Sequence, residues 1–497
     1  MIGIYIDLPT SELRKRAKYT FQTLFSMTDF LPRYIRKLDS INNDDVLVFY
    51  SDNSTGSIDS TAKVIRIPFL APPTYKENSR DVLINPTNSI LWKGRNLPFL
   101  YSRLDISLER NFLKYEDSKP AVVAENKEVQ FGFDIIMSGF YFLACQEEFI
   151  IEKRDPRGRF LASYSSRDKQ DIKKPILNYY ADILSEVIKS IYSEQDSVGT
   201  EFNNQRDLVV NLSHDVDNIY KSNFYNILGK SYRAMRGIIS GDPSRSLQEL
   251  RSIRDAYFER GNSYRNFNKY MQLEGDHGFR SSFYFLGGRR LGRYGTRYKI
   301  KDEKGIIKRL DKNGWEVGSH YSYYSMNNVS KISKERAELE ETLEKEIYGG
   351  RSHYLNFEAP KSWKLLEEAG YKYDSSLGYP NTVGFRAGIA YPFRPYDLAN
   401  EQIMDIVEIP LIIMDKALLN ENGQNEEQCW LQVKEIVEEV RNVDGVLTIL
   451  WHQSVLDEKD FPILSELYPR LLNYLDQINA TVKTNREIAQ LKKISPK

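Results

Sequence analysis

The chain is poor in sulfur and in histidine, with two cysteines and five histidines in 497 residues. With Cys145 and Cys429 alone there is no disulfide framework and no CxxC metal motif. Each reads as a small buried hydrophobe. Neither sign of charge is in excess, since Lys plus Arg and Asp plus Glu both number 69. That balance argues against a chain built overall to hold nucleic acid or an anionic membrane. Long apolar runs are missing as well. The longest, residues 133–145, contains Asp134 and Ser138 and is too short to span a bilayer. The opening Met1-Ile-Gly-Ile-Tyr-Ile-Asp7 lacks the basic start of a signal peptide. No transmembrane segment and a cytoplasmic location are therefore expected.

What is present is enough chain for more than one hydrophobic core. A polar stretch at residues 193–207 reads as a linker after a helix over 175–192, where Ile176, Tyr180, Ile183 and Val187 recur at helical spacing. Residues 1–195 are expected to form a smaller N-terminal α/β domain of unassigned role, with strands at 45–50 and 62–69. Residues 207–497 show a more regular pattern. Short β-type runs fall at 208–212, 281–286, 315–318, 352–357, 371–374, 406–413 and 446–450. Helical stretches such as 305–313, 335–347, 361–369 and 426–440 lie between most of them. Strands alternating with helices imply parallel strands joined by crossovers, hence an α/β sheet or barrel. A barrel-like closure is the favoured reading. A helix-prone insertion rich in Arg, Lys and Tyr occupies about 221–270. It reads as a solvated excursion packed on the rim, with a lid or a partner surface as the functional alternative.

Three of the five histidines, His214, His320 and His452, stand just past the end of a predicted strand. In parallel α/β folds the site gathers at those carboxyl ends. Ser213-His214-Asp215-Val216-Asp217 adds two carboxylates at i and i+2, suited to dividing metal binding from proton transfer. Arg351-Ser-His353-Tyr354 places a guanidinium beside a possible ligand, where it can hold a carboxylate ionised. His353 falls near the start of its predicted strand, a position that by itself suggests a core histidine. His452 suits a general acid, because histidine titrates near neutrality. His277, in a Gly-Asp-His-Gly turn, is assigned no role.

In this order the motifs resemble the NodB-homology polysaccharide deacetylases, carbohydrate esterase family four and its relatives. The resemblance covers about residues 207–491 and rests on Ser213-His-Asp-Val-Asp217, Glu316-Val-Gly-Ser-His320, Arg351-x-x-Tyr354 and Leu450-x-His452. Tyr373-Asp-Ser-Ser-Leu-Gly378, Gly384-Phe-Arg-Ala-Gly388 and Pro392-Phe393 resemble one branch in which an N-terminal α/β domain precedes the barrel. Residues 134–148 and Gly158-Arg-Phe160 resemble that domain. The branch is associated with bacterial surface-polysaccharide and capsule-type gene sets.

The resemblance implies a deformed (β/α)7 barrel and a divalent metal, usually zinc, that removes acetyl groups from N-acetylated sugars. It implies Asp215 as catalytic base and Asp217 as metal-binding carboxylate. His320 matches the first histidine of the metal motif, and Arg351 the arginine that orients the base. The backbone N–H of Tyr354 is implied in the oxyanion hole, and His452 is implied as general acid. The family's second metal histidine is replaced by Tyr324. His353 stands where the family usually has proline and is the expected third ligand, ahead of His214 and Tyr324. Asp415 is a candidate for the acid that supports His452. Arg386 and Phe393 are expected substrate contacts, weighed against simple packing. The expected partner is an N-acetylated sugar or glycan, with no nucleic acid. Two other readings stand beside the deacetylase: a catalytically silent barrel that binds glycan or scaffolds a biosynthetic complex, and a hydrolase of another small amide such as a formamide.

Overall fold

Val46-Leu-Val-Phe-Tyr-Ser51 buries every side chain, as a β-branched and aromatic strand covered on both faces does. It lies at the centre of the first of two parallel sheets in the protein, here a computed structural model. The structure describes residues 1–38, 41–42, 45–52, 62–70, 88–100, 128–192, 208–220, 224–258, 264–288, 294–423, 425–491 and 494. The expected linker at 193–207 lies outside the described residues.

The first sheet is built from β1 (Ile2–Asp7), β2 (Arg33–Tyr34), β3 (Val46–Ser51) and β4 (Lys63–Pro68). β5 (Asn88–Trp92) and β6 (Arg95–Phe99) pair apart from it as an antiparallel hairpin, and β7 (Glu128–Gln130) joins its edge. Its order is β2-β1-β3-β4-β7, all parallel. Helix Ser11–Ser26 begins where the Thr10 side chain accepts from Leu13 N–H. Helix Ile135–Leu143 begins where Asp134 accepts from Ile136 and Met137 N–H.

The second sheet starts with β8 (Val209–Val216), β9 (Ser282–Leu286), β10 (Glu316–Tyr321), β11 (Gly349–Ser352) and β12 (Tyr373–Asp374). β13 (Tyr396–Asp397) and β14 (Gln402–Ile403) form a small antiparallel pair of their own. β15 (Val407–Glu408), β16 (Ile413–Met414), β17 (Val446–Leu450) and β18 (Thr481–Val482) complete the sheet. Its path is β15-β12-β11-β10-β9-β8-β17-β16, with β18 beside β8, and every pairing is parallel. The result is a half-barrel. Its edge strands β15 and β16 are not paired with each other among the described residues. Residues 409–412 bridge them, through Ile409 N–H to Asp374 O and Ile412 N–H to Thr448 O at 2.9 and 3.1 Å. The ladder closure expected of a barrel is thus replaced by a span of chain.

That span also corrects the single strand expected at 406–413, which is two short strands on opposite edges. Pro410 lies between them and has no N–H to offer a ladder. Other strands begin or end elsewhere than expected. β8 runs on to Val216, because Asp215 and Val216 pair with Tyr284 and Phe285. β10 runs on to Tyr321, so His214 and His320 lie within strands rather than in the loops after them. β11 starts at Gly349 and stops at Ser352, which puts His353 after the strand and not near its start.

The insertion is an antiparallel pair of helices, Phe224–Ile239 and Pro243–Phe258, followed by helix Phe267–Asp276. Tyr232, Met235, Ile238 and Ile239 of the pair are exposed. No helix among the described residues is long and apolar enough to cross a membrane. Cys145 and Cys429 are buried thiols. One cluster of buried side chains runs from Ile2 to Leu475 and joins the two sheets. The loop Gly384–Gly388 is a main contact between them. Phe385 N–H donates to Ile172 O at 2.8 Å, and Leu177 N–H donates to Gly388 O at 2.9 Å. Gly384 has φ +143°, and a Cβ there would meet Ile172 O at 2.7 Å, so glycine is required.

Candidate active site

Alternation along β8 points Asp215 and Asp217 to one face of the sheet and His214 to the other. His214 faces the helices. Its Nδ1 lies 2.7 Å from Trp451 O and its Nε2 lies 2.7 Å from Glu274 Oε1, so both ring nitrogens are taken. Of the ligand candidates weighed beside His353, His214 is therefore placed away from the acids. The hydroxyl of Tyr324 accepts from Tyr294 N–H at 3.3 Å.

On the inner face the structure brings Asp217, His320 and His353 together, with one donor atom of each within 4.8 Å of the others. His320 Nε2 is 3.2 Å from Asp217 Oδ1, and His353 Nε2 is 3.6 Å from the same atom. A tetrahedral zinc site with bonds of ~2.0–2.1 Å separates its donor atoms by roughly 3.3 Å, so the spacing fits a divalent ion. Asp217 Oδ1 is buried without a hydrogen-bond partner, as an atom reserved for a cation would be. His320 Nδ1 lies 2.9 Å from the Arg351 carbonyl, which can only accept. Nδ1 therefore carries the proton and Nε2 faces the acids. Burial pushes His353 down to about 3, which keeps its imidazole neutral and able to ligate. Burial alone would raise Asp217, but His353, His320, Lys416 and His452 around it hold its carboxyl well below the usual range. For His320 burial opposes the charge, and Asp215 and Asp217 outweigh it and raise the pKa.

Two further pairs flank this trio. Arg351, fully buried, donates Nη1 to Asp215 Oδ1 at 3.0 Å, and its other nitrogens are fixed by Ser375 O at 2.8 Å and Ser375 Oγ at 3.0 Å. His452, two residues beyond β17, has Nδ1 at 2.8 Å from Asp415 Oδ1 and donates its backbone N–H to Asp415 Oδ2 at 2.6 Å. His452 Nε2 is left facing Asp217 Oδ2 at 3.8 Å. Asp415, at the end of β16, is held below its ordinary value despite burial, because His452 lies beside it. Tyr354 and Leu355 follow with φ of 63° and 51°, left-handed backbone that a bulky residue rarely adopts. Strain of that kind concentrates at functional sites.

Arg386 and Phe393 are placed otherwise. Arg386 is 3% exposed, its guanidinium bonded to both oxygens of Glu148 at 2.6 and 2.5 Å and to Gly378 O at 3.1 Å. Phe393 is fully buried, against Trp363. Arg386 packs the junction of the sheets and Phe393 the core beside Trp363, so both expected substrate contacts are buried side chains. His277 pairs with Asp476 at 3.2 Å, near the surface.

Sequence reasoning missed three contributors. Lys416 Nζ stands 3.7 Å from Asp217 Oδ2, and its place next to Asp415 was the available signal. Glu274, in a helix, bonds His214, Tyr468, Ser281 and Trp315, with no local pattern to mark it. Arg159 comes from the first half of the chain and donates to Tyr354 O at 3.1 Å.

Residues 5–193 match a family model described as a family of unknown function, DUF7033. No curated protein matches the chain. Among solved structures it is similar to Puue allantoinase, at 13% identity over 68% of this chain and 97% of that one, with a TM-score of 0.40. It is similar to a probable polysaccharide deacetylase from Pseudomonas aeruginosa PAO1, at 14% identity, 57% and 90% coverage and a TM-score of 0.37. It is also similar to a CE4 family pseudoenzyme from Bacillus anthracis, at 10% identity, 58% and 66% coverage and a TM-score of 0.29.

Proposed function

We propose that the chain is a cytoplasmic, metal-dependent hydrolase that removes N-acetyl groups from a sugar or a bacterial surface-polysaccharide precursor. The observation that carries this is that Asp217, His320 and His353 have donor atoms within 4.8 Å of one another, between a carboxylate held by arginine and a histidine held by aspartate. A divalent ion on those three residues, zinc by the donor set, would supply Lewis-acid polarisation of the acetyl carbonyl and acidify the attacking water.

The remaining chemistry belongs to the chain itself. Asp215, oriented by its ion pair with Arg351, accepts the proton of the attacking water. The backbone N–H of Tyr354, turned by its left-handed conformation, donates to the oxygen that gains charge. His452, its Nδ1 anchored on Asp415, presents Nε2 to protonate the leaving amine. Two groups of opposite proton task are more than a binding module needs.

The test is elemental analysis of the purified wild type beside His320→Ala and His353→Ala, with acetate release from N-acetylated oligosaccharides followed in parallel. Near-stoichiometric metal, lost in both variants along with acetate release, supports the hydrolase. A wild type that holds no metal and takes up neither zinc, cobalt nor nickel sinks it and leaves a glycan-binding barrel.

A further inference from the structure

A turn from the first half of the chain reaches the wall of the site. Asp155 Oδ1 accepts from Arg157 and Arg159 N–H, both at 2.9 Å, and Asp155 Oδ2 accepts from the Arg159 side chain at 3.0 and 2.8 Å. Arg159 is thereby committed to closing the turn and to the Tyr354 carbonyl. Arg157 is the residue the turn presents. Its guanidinium lies over the Tyr354 ring at 4.7 Å, its carbonyl accepts from Tyr323 hydroxyl at 3.4 Å, and no described carboxylate pairs with it.

Tyr354 belongs to an aromatic shelf. Its ring stacks on His353 at 4.2 Å and meets Tyr294 at 5.3 Å, and Tyr294 lies 4.3 Å from Tyr323. With the Tyr354 ring covered by His353 and Arg157, the outer rings Tyr294 and Tyr323 are the ones that take the apolar face of a sugar while polar neighbours fix its orientation. Beside the same site Lys416 is 46% exposed, and among the described residues only the shared oxygen of Asp217 lies within ion-pair reach of it. A wall with two accessible cations around an aromatic shelf is in excess of what a neutral N-acetyl sugar requires.

Building on the proposed deacetylase reading, we infer that Arg157, Lys416 and the Tyr294–Tyr323–Tyr354 shelf form a subsite for an anionic sugar, one bearing a carboxylate or a phosphate beside the N-acetyl group. Arg157 offers a planar fork that matches either anion, and Lys416 offers a point charge. Asp155 and Arg159 fix the turn that carries the fork before the ligand arrives, which lowers the ordering cost of binding.

The test is calorimetric binding of the full chain to N-acetylglucosamine, to its 1-phosphate and to the corresponding N-acetylated uronic acid. At least one anionic sugar should bind about tenfold tighter than the neutral sugar at low salt. The preference should shrink to about threefold or less in Arg157→Gln with Lys416→Gln, and in ~0.5 M salt. The anion that shows the preference identifies the source of the charge. Equal affinity for neutral and anionic sugars, or a preference that survives both substitutions, overturns the subsite. Acetate release from neutral sugars with no anionic preference keeps the hydrolase and removes the subsite. An anionic preference without any acetate release does the reverse. Failure of all three sugars to bind removes both.

Discussion

Asp415 contacts His452 through side chain and backbone at once, so it fixes both where the ring sits and which nitrogen faces the site. Asp415→Asn keeps the size of the side chain and disturbs the tautomer. The expected outcome is a fall in kcat of about 10²-fold, with metal content unchanged by elemental analysis. Loss of metal with the activity would instead assign Asp415 to the ion. At this scale the sequence was informative wherever a residue's position along a strand decides its direction. Asp215 and Asp217 share a face because one residue separates them, and one residue likewise separates Arg351 from His353, just past the end of β11. Side chains that arrive from another element leave no such periodic trace. Glu274 enters the core from a helix 60 residues from His214 in sequence, and Arg386 reads as a loop arginine until Glu148 is seen across the sheet junction. Lys416 was legible in part, since it follows an acid already singled out.

Among elements, β10 and β11 are held unusually close where they carry His320 and Arg351. A Cβ on Gly350 would lie 1.7 Å from Ser319 O, and one on Gly318 would lie 2.8 Å from Gly349 O. Gly350→Ala must therefore push the two strands apart. A destabilisation of about 3 kcal/mol is expected in denaturant unfolding, with loss of metal retention because His320 and His353 separate. A stable variant that retains metal would show that the close approach is not needed. The same glycines explain why β11 was misplaced by sequence, since Gly-Gly has low strand propensity and the run of better formers begins after it.

The start of helix Ile135–Leu143 is sensitive to pH through its cap, Asp134. Burial raises Asp134 to about 6, against the donors from Met137, Leu70, Tyr50 and Ile136. A carboxyl raised on folding stabilises fully below its unfolded value near 3.8, and that contribution is lost as pH rises through about 6. Asp134→Asn keeps an acceptor for the cap and removes the titration. Between pH 7 and pH 4, wild type should gain up to about 3 kcal/mol relative to the variant. Parallel stability–pH curves for the two would contradict the raised pKa.

At the scale of the whole molecule, the α/β class and the parallel sheet were legible because alternating strand and helix patterns leave few other folds. How the two sheets meet was not, because the meeting surface is made of loops and of single buried charges. Arg386 and Glu148 are 3% and 5% exposed, and their bonds cross from one half of the chain to the other. Arg386→Ala leaves Glu148 buried and unpaired, with an expected cost of about 3–5 kcal/mol. Replacing both, as Arg386→Met with Glu148→Leu, should restore most of that loss, since the pair specifies the junction more than it stabilises it. If the double variant is as damaged as the single one, packing at the junction rather than the unpaired charge sets the cost. The continuous core makes a stronger claim on the chain as a unit. A fragment comprising residues 208–497 would expose the Gly384–Gly388 loop and the buried side chains that face helix Ile176–Tyr192, and it would lack Arg159 at Tyr354. That fragment is expected to lose near-ultraviolet circular dichroism and cooperative unfolding. A fragment that unfolds cooperatively at the midpoint of the full chain, and still binds metal, would mean that the first 192 residues are an independent unit and that the site owes them nothing.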